Sequence, residues 1–78
     1  MPIFYFELCD GVRVPDDEGQ EFVTLEEARE EAVKSARSMM RDEILRGILP
    51  LKDRIRILDK DGEELDTLHF RDAIRIEE

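Results

Sequence analysis

One cysteine, one histidine, three prolines and no long apolar run are conspicuous scarcities in a chain of 78 residues. A single cysteine, Cys9, forms no internal disulfide, which fits a reducing compartment and a cytoplasmic location. The absence of any long apolar segment excludes a membrane-spanning helix. The opening MPIFYFELCDG has no basic stretch and too short an apolar run for a secretory leader, so none is expected. Cys9 and His69 are unique, so a Cys–His nucleophilic pair would need those two in contact, with a third group to orient the base. Two such ligands do not close a tetrahedral zinc shell. No catalytic residue, metal or cofactor is therefore expected, and the chain reads as non-enzymatic.

What is present is charge, at 42% of residues, with a formal net charge of −9. It is zoned. Glu7 to Glu31 holds ten acidic and two basic residues, Lys34 to Arg56 three and seven, and Asp59 to Glu78 eight and three. The central zone comprises Arg37, Arg41, Arg46, Lys52, Arg54 and Arg56. Such a cluster can meet phosphates, but a strongly acidic molecule repels nucleic acid at range. It can equally complement an acidic surface on a second copy or another protein, which sets register and partner choice.

The stretch Thr24–Gly47 carries the strongest structural signal. Thr24 and Glu27 form a capping box, the hydroxyl taking the Glu27 N–H and the Glu27 side chain reaching back to the Thr24 N–H. Phe22 or Val23 is placed to staple onto the first turns. Good helix formers follow, acidic residues crowd the first turns, and arginines stand near the end, complementing the helix dipole. Glu30–Lys34 and Asp42–Arg46 are spaced as ion pairs four apart. Gly47 is the expected stop, with Pro50 beyond. Leu25, Ala28, Ala32, Ala36, Met39 and Met40 make an apolar stripe widened by Val33 and Ile44, on a helix of about 33 Å.

Strand signals flank this helix. Ile3 to Leu8 alternates, with Phe4, Phe6 and Leu8 on the core side and Ile3, Tyr5 and Glu7 on the other. Asp10-Gly11 marks a turn, and Val12–Val14 begins a return strand that Pro15 cuts short. Asp16-Asp17-Glu18-Gly19 is a second turn. Beyond the helix, Ile48, Leu49 and Leu51 form an apolar connector expected to tuck under the sheet. Arg54–Leu58 with Ile55 and Ile57 inward, an Asp61-Gly62 hairpin, and Leu65–Phe70 complete the pattern. Asp59 to Glu64 superficially has the look of a calcium loop, but it joins strands rather than helices. The tail from Asp72 either extends the last strand or packs as an irregular cap.

The expected fold is α+β and ββαββ: two antiparallel β-hairpins forming a four-stranded sheet, one long amphipathic helix on one face, a single domain over residues 1–78. The sheet order is left open. If the other face is uncovered, Ile3 and Tyr5 are exposed there and mark a dimer surface. A domain this small buries only about 60–65% of its unfolded surface, so dimerisation is a natural supplement.

These motifs together resemble a family of short, mostly alphaproteobacterial proteins known only as a domain of unknown function. The resemblance rests on Met1-Pro2 before an aromatic strand, Asp10-Gly11, Asp16-x-x-Gly19, the Leu25-Glu26-Glu27-Ala28 helix start, an arginine-rich strand with an Asp-Gly hairpin, and Phe70-Arg71-Asp72-Ala73. It implies a stand-alone bacterial domain and no activity. The function expected is a protein-interaction or regulatory module acting as a homodimer. The alternative is a small, antitoxin-like regulator contacting nucleic acid through the basic zone.

Overall fold

The computed structural model describes residues 2–78, so Met1 of the opening motif lies outside the described residues. Its elements are β1 (Ile3–Cys9), β2 (Arg13–Val14), β3 (Gln20–Glu21), α1 (Leu25–Ile44), β4 (Arg54–Leu58), β5 (Glu64–His69) and a 3₁₀ turn over Phe70–Ala73. The class is α+β, with five antiparallel strands rather than four. The strands run β2-β1-β4-β5, and β3 pairs with the same edge of β1 as β2 does. The two hairpins thus lie side by side, joined through β1 and β4.

The extra strand has a local cause. Pro15 has no N–H to give to a ladder. Pairing of β2 stops at Leu8↔Val14 and resumes in β3 at Phe4↔Gln20, two residues out of register. The segment between is a loop, and an even offset keeps the same residues facing the core. Phe6, stranded at the gap, donates its N–H to Asp16 Oδ2 at 3.1 Å. Asp16 Oδ1 accepts from the N–H groups of Glu18 and Gly19, each at 3.1 Å, closing the loop on itself.

The helix begins as its sequence dictates, with Thr24 Oγ1 accepting from the Glu27 N–H at 3.2 Å. The reciprocal bond differs by one residue, since Glu27 Oε2 accepts from Val23 at 3.1 Å rather than from Thr24. Thr24→Ala is expected to cost about 1 kcal/mol, because it orphans one end donor; thermal unfolding followed by circular dichroism measures it. At the other end, Ile48 N–H donates to Glu43 O at 2.9 Å and Gly47 N–H to Ile44 O at 2.8 Å. That pair of bonds is a Schellman stop.

Ala28, Ala32, Ala36 and Met40, spaced four apart, are the buried row of the helix. The three alanines let the helix lie close against Phe4, Ile55, Ile57, Leu68 and Phe70, while Met40 fills the far end and Ala73 closes the core. Full burial of a side chain such as Ile57 or Leu68 contributes about 1.5–3 kcal/mol. Phe22 packs on Phe4 and Phe6, with ring centroids 6.2 and 6.1 Å apart. Arg29 reaches Asp66 at 2.6 Å, and Arg37 Nε donates to Ala73 O at 2.7 Å, fixing the helix over β5 and the 3₁₀ turn.

Several apolar expectations fail at the ends. Leu25 is exposed, and Ile44, the next step of the four-residue row, is 55% exposed. Ile48 and Leu49 do not tuck under the sheet either; they are 50% and 42% exposed. The Schellman stop turns the chain across the end of the helix, so the connector rims the core instead of entering it. Arg46 pairs with Glu43 at 3.1 Å, not with Asp42. Phe70 is buried as expected, but it opens the 3₁₀ turn rather than ending β5.

Candidate functional site

The helix covers one face of the sheet, and the strand register states what the other face carries. Glu7 pairs with Arg56, and Arg56 with Thr67, so their side chains share that outer face. Arg13 and Glu64 flank them. Arg56 Nη1 lies 2.7 Å from Glu7 Oε1, Arg56 Nε 2.6 Å from Glu64 Oε1, and Arg13 Nε 3.5 Å from Glu7 Oε1. The result is a row of alternating sign across the sheet: Arg13, Glu7, Arg56, Glu64. Glu7 is only 8% exposed, screened beneath the two guanidinium groups.

The row fixes the charge state of its members. Hydrogen bonds to Glu64 and then Glu7 raise the Arg56 guanidinium above its ordinary value, against a small opposing desolvation. Glu64 is held below the usual carboxylate range, first by the Arg56 hydrogen bond and second by Thr67. Both therefore stay ionised at neutral pH.

The expected basic zone is divided by the fold. Arg54 and Arg56 project from the outer sheet face, whereas Arg37 and Arg41 stand on the helix, on the opposite side of the sheet, and Arg46 lies in the turn that ends it. Arg37 is bonded to a backbone carbonyl, Arg41 lies 3.2 Å from Asp42, and Lys52 sits in the connector. Ile3 and Tyr5 are on the outer face, Ile3 exposed and Tyr5 half-buried. Gly19 passes so close over both that it contributes to their cover.

Cys9 and His69 also lie on the outer face, each cross-strand from Arg54, which stands between them. Two strand spacings separate their main chains, roughly 9–10 Å. The thiol is instead 3.8 Å from Glu7 Oε1. Among the described residues no three His, Cys, Asp or Glu side chains are grouped to hold a metal ion. No described helix is long and apolar enough to cross a membrane.

A second feature escaped sequence reasoning. Where the helix ends, a cleft of about 600 Å³ opens between Leu8, Met39 and Phe70 on its floor and the Ile48–Asp53 connector. Asp10, Asp42, Glu43 and Asp53 stand on its lining, with Lys52 the one cation there. Burial, then the charges of Asp10 and Glu43, push the Asp53 carboxyl above its ordinary value, only partly offset by Lys52. The ion row was equally hidden, although the outward parity of Glu7 within an aromatic strand was its signal.

No curated protein and no solved structure matches the chain. A family model described as "Domain of unknown function (DUF6894)" matches residues 3–71, from the first strand through the start of the 3₁₀ turn, and the chain belongs to that family.

Proposed function

We propose that this chain is a non-enzymatic protein-interaction or regulatory module that works as a homodimer, joined through the sheet face opposite the helix. The observation that carries it is the alternating row of Arg13, Glu7, Arg56 and Glu64. A row of that order is self-complementary. With a two-fold axis parallel to the strands, Arg13 faces the partner's Glu64 and Glu7 faces the partner's Arg56. Ile3, Tyr5 and Leu58 border the row and supply apolar contact. Dimerisation also adds burial to a domain too small to bury much alone.

The separation of Cys9 from His69 by Arg54 supports the non-enzymatic reading, and a single cysteine suits a cytoplasmic setting. The nucleic-acid alternative draws less support. It needs Arg37, Arg41 and Arg54 on one surface, and the sheet stands between them.

Light scattering tests the dimer. The expected mass is twice the 9.2 kDa of the chain, falling to the monomer value in Arg13→Glu, which sets two acidic pairs against each other. Arg13 is a peripheral, exposed residue, so the circular dichroism of that variant stays native. A monomer at all concentrations, or a dimer indifferent to Arg13→Glu, overturns the proposal.

A further inference from the structure

We infer that the cleft at the end of the helix is a docking site for a short cationic–apolar segment of another protein, a leucine-like side chain entering it and flanking lysine or arginine meeting its rim. The floor is apolar, from Leu8, Met39 and Phe70. Its volume of about 600 Å³ is within the about 300–1,000 Å³ of clefts that hold small ligands, which is room for an apolar side chain and its neighbours. The apolar surface continues outside. Ile48 and Leu49 form its wall, and Ile44 and Leu45, which follow the lining residue Glu43 in the chain, are exposed, Leu45 at 82%. Four large aliphatic side chains left in water at one end of a small domain are an interaction surface rather than scattered exposure.

The rim states the sign of the occupant. Asp42 and Glu43 already have Arg41 and Arg46 beside them, at 3.2 and 3.1 Å. Asp10 and Asp53 have no ion-pair partner among the described residues. Asp10, Glu43 and Asp53 all line one opening, and burial, then the charges of Asp10 and Glu43, raise the Asp53 carboxyl against the single opposing charge of Lys52. An acidic segment, a phosphate or a nucleic acid is repelled there. An uncharged apolar segment would strip water from the carboxylates with nothing returned. A cationic–apolar segment satisfies both walls, its charge setting register and on-rate and its apolar side chain filling the floor. The cleft opens between sheet and helix, away from the outer sheet face, so it stays free in the proposed dimer and its occupancy does not depend on that dimer.

The experiment is a titration of ¹⁵N-labelled full chain with the capped pentapeptide Lys-Leu-Leu-Arg-Lys, with Glu-Leu-Leu-Glu-Glu as control. Saturable shifts are expected at Leu8, Asp10 and the amides from Ile48 to Asp53, with none from the acidic peptide. The double variant Asp10→Asn with Asp53→Asn is expected to bind about fivefold to tenfold more weakly. Asparagine retains an acceptor for the Val12 N–H that Asp10 now holds, and the Asp53 carbonyl that accepts from Phe70 is main chain, so the fold is preserved. Leu49→Ser, at an exposed wall position, is expected to weaken binding without touching charge. Absence of saturable shifts, equal shifts from the acidic peptide, shifts centred on Arg54 and Arg56, or undiminished binding by the double variant would each overturn the assignment.

Discussion

Gly19→Val is expected to lower the unfolding free energy by about 2–5 kcal/mol, the sum of about 1–2 for a side chain in the left-handed region and about 1–3 for overpacking. Gly19 has φ +73, and a Cβ built there falls 2.6 Å from Ile3 Cγ2 and 2.9 Å from Tyr5 Cε1. Neither neighbour is the free end of a flexible chain. Both sit on β1, the strand that holds the two hairpins together. A domain of 78 residues has a total stability of only about 4–12 kcal/mol at about 0.05–0.15 per residue. The loss is thus a large share of the whole. Gly62 supplies the control, because it has φ +83 and open space around its Cβ position. Gly62→Val incurs the conformational strain alone. Urea unfolding of the two variants separates contact from strain, and equal costs would show that the Asp16–Gly19 loop does not seat on Ile3 and Tyr5.

The local elements of this fold were legible because each is specified within a few residues of sequence. The Thr24–Glu27 cap, the Gly47 stop and the Asp61-Gly62 turn depend on hydrogen bonds that close within five positions. Strand parity was legible for the same reason: alternation alone places Phe4, Ile55, Ile57 and Leu68 inward. What required the structure was anything set by register between distant segments. Glu7 and Arg56 are 49 positions apart, and only the pairing of β1 with β4 brings their charges to 2.7 Å. The same pairing puts Arg54 between Cys9 and His69, which no spacing in the sequence reveals.

Burial at the ends of the helix misled for a related reason. The four-residue row from Ala28 to Met40 points at the sheet only while sheet lies beneath it, and Ile44 continues the row past that edge. Apolar residues in the connector then look like core on composition. Their exposure follows from where the Schellman stop sends the chain, and it is what leaves an apolar cleft open beside Asp10 and Asp53. The split of the second strand stood midway. Pro15 announced an interruption, but the role of Asp16 in bridging it is a side-chain bond across the sheet edge.

That bond gives the second large effect. Asp16→Ala is expected to cost about 2–4 kcal/mol, since hydrogen bonds to a charged acceptor contribute about 1.5–3 kcal/mol each. Three are lost, but the Glu18 N–H is exposed and recovers water, while those of Phe6 and Gly19 are partly buried. Asp16→Asn is expected to fall between, because its one oxygen can serve the loop or Phe6 but not both. Acidity distinguishes charge from geometry. Burial pushes the Asp16 carboxyl up, but the N–H groups of Phe6, Gly19 and Glu18 together outweigh it and hold the group below its ordinary value of 3.8. A carboxyl with a depressed folded pKa contributes stability that is fully present above the unfolded value and lost as pH falls through the folded one. The gap between the native chain and Asp16→Asn should therefore be constant from neutrality down to about pH 4 and shrink below it. Urea midpoints across that range measure the gap. If it is the same at the acid end as at neutrality, the oxygen positions alone hold the loop and the negative charge of Asp16 contributes nothing.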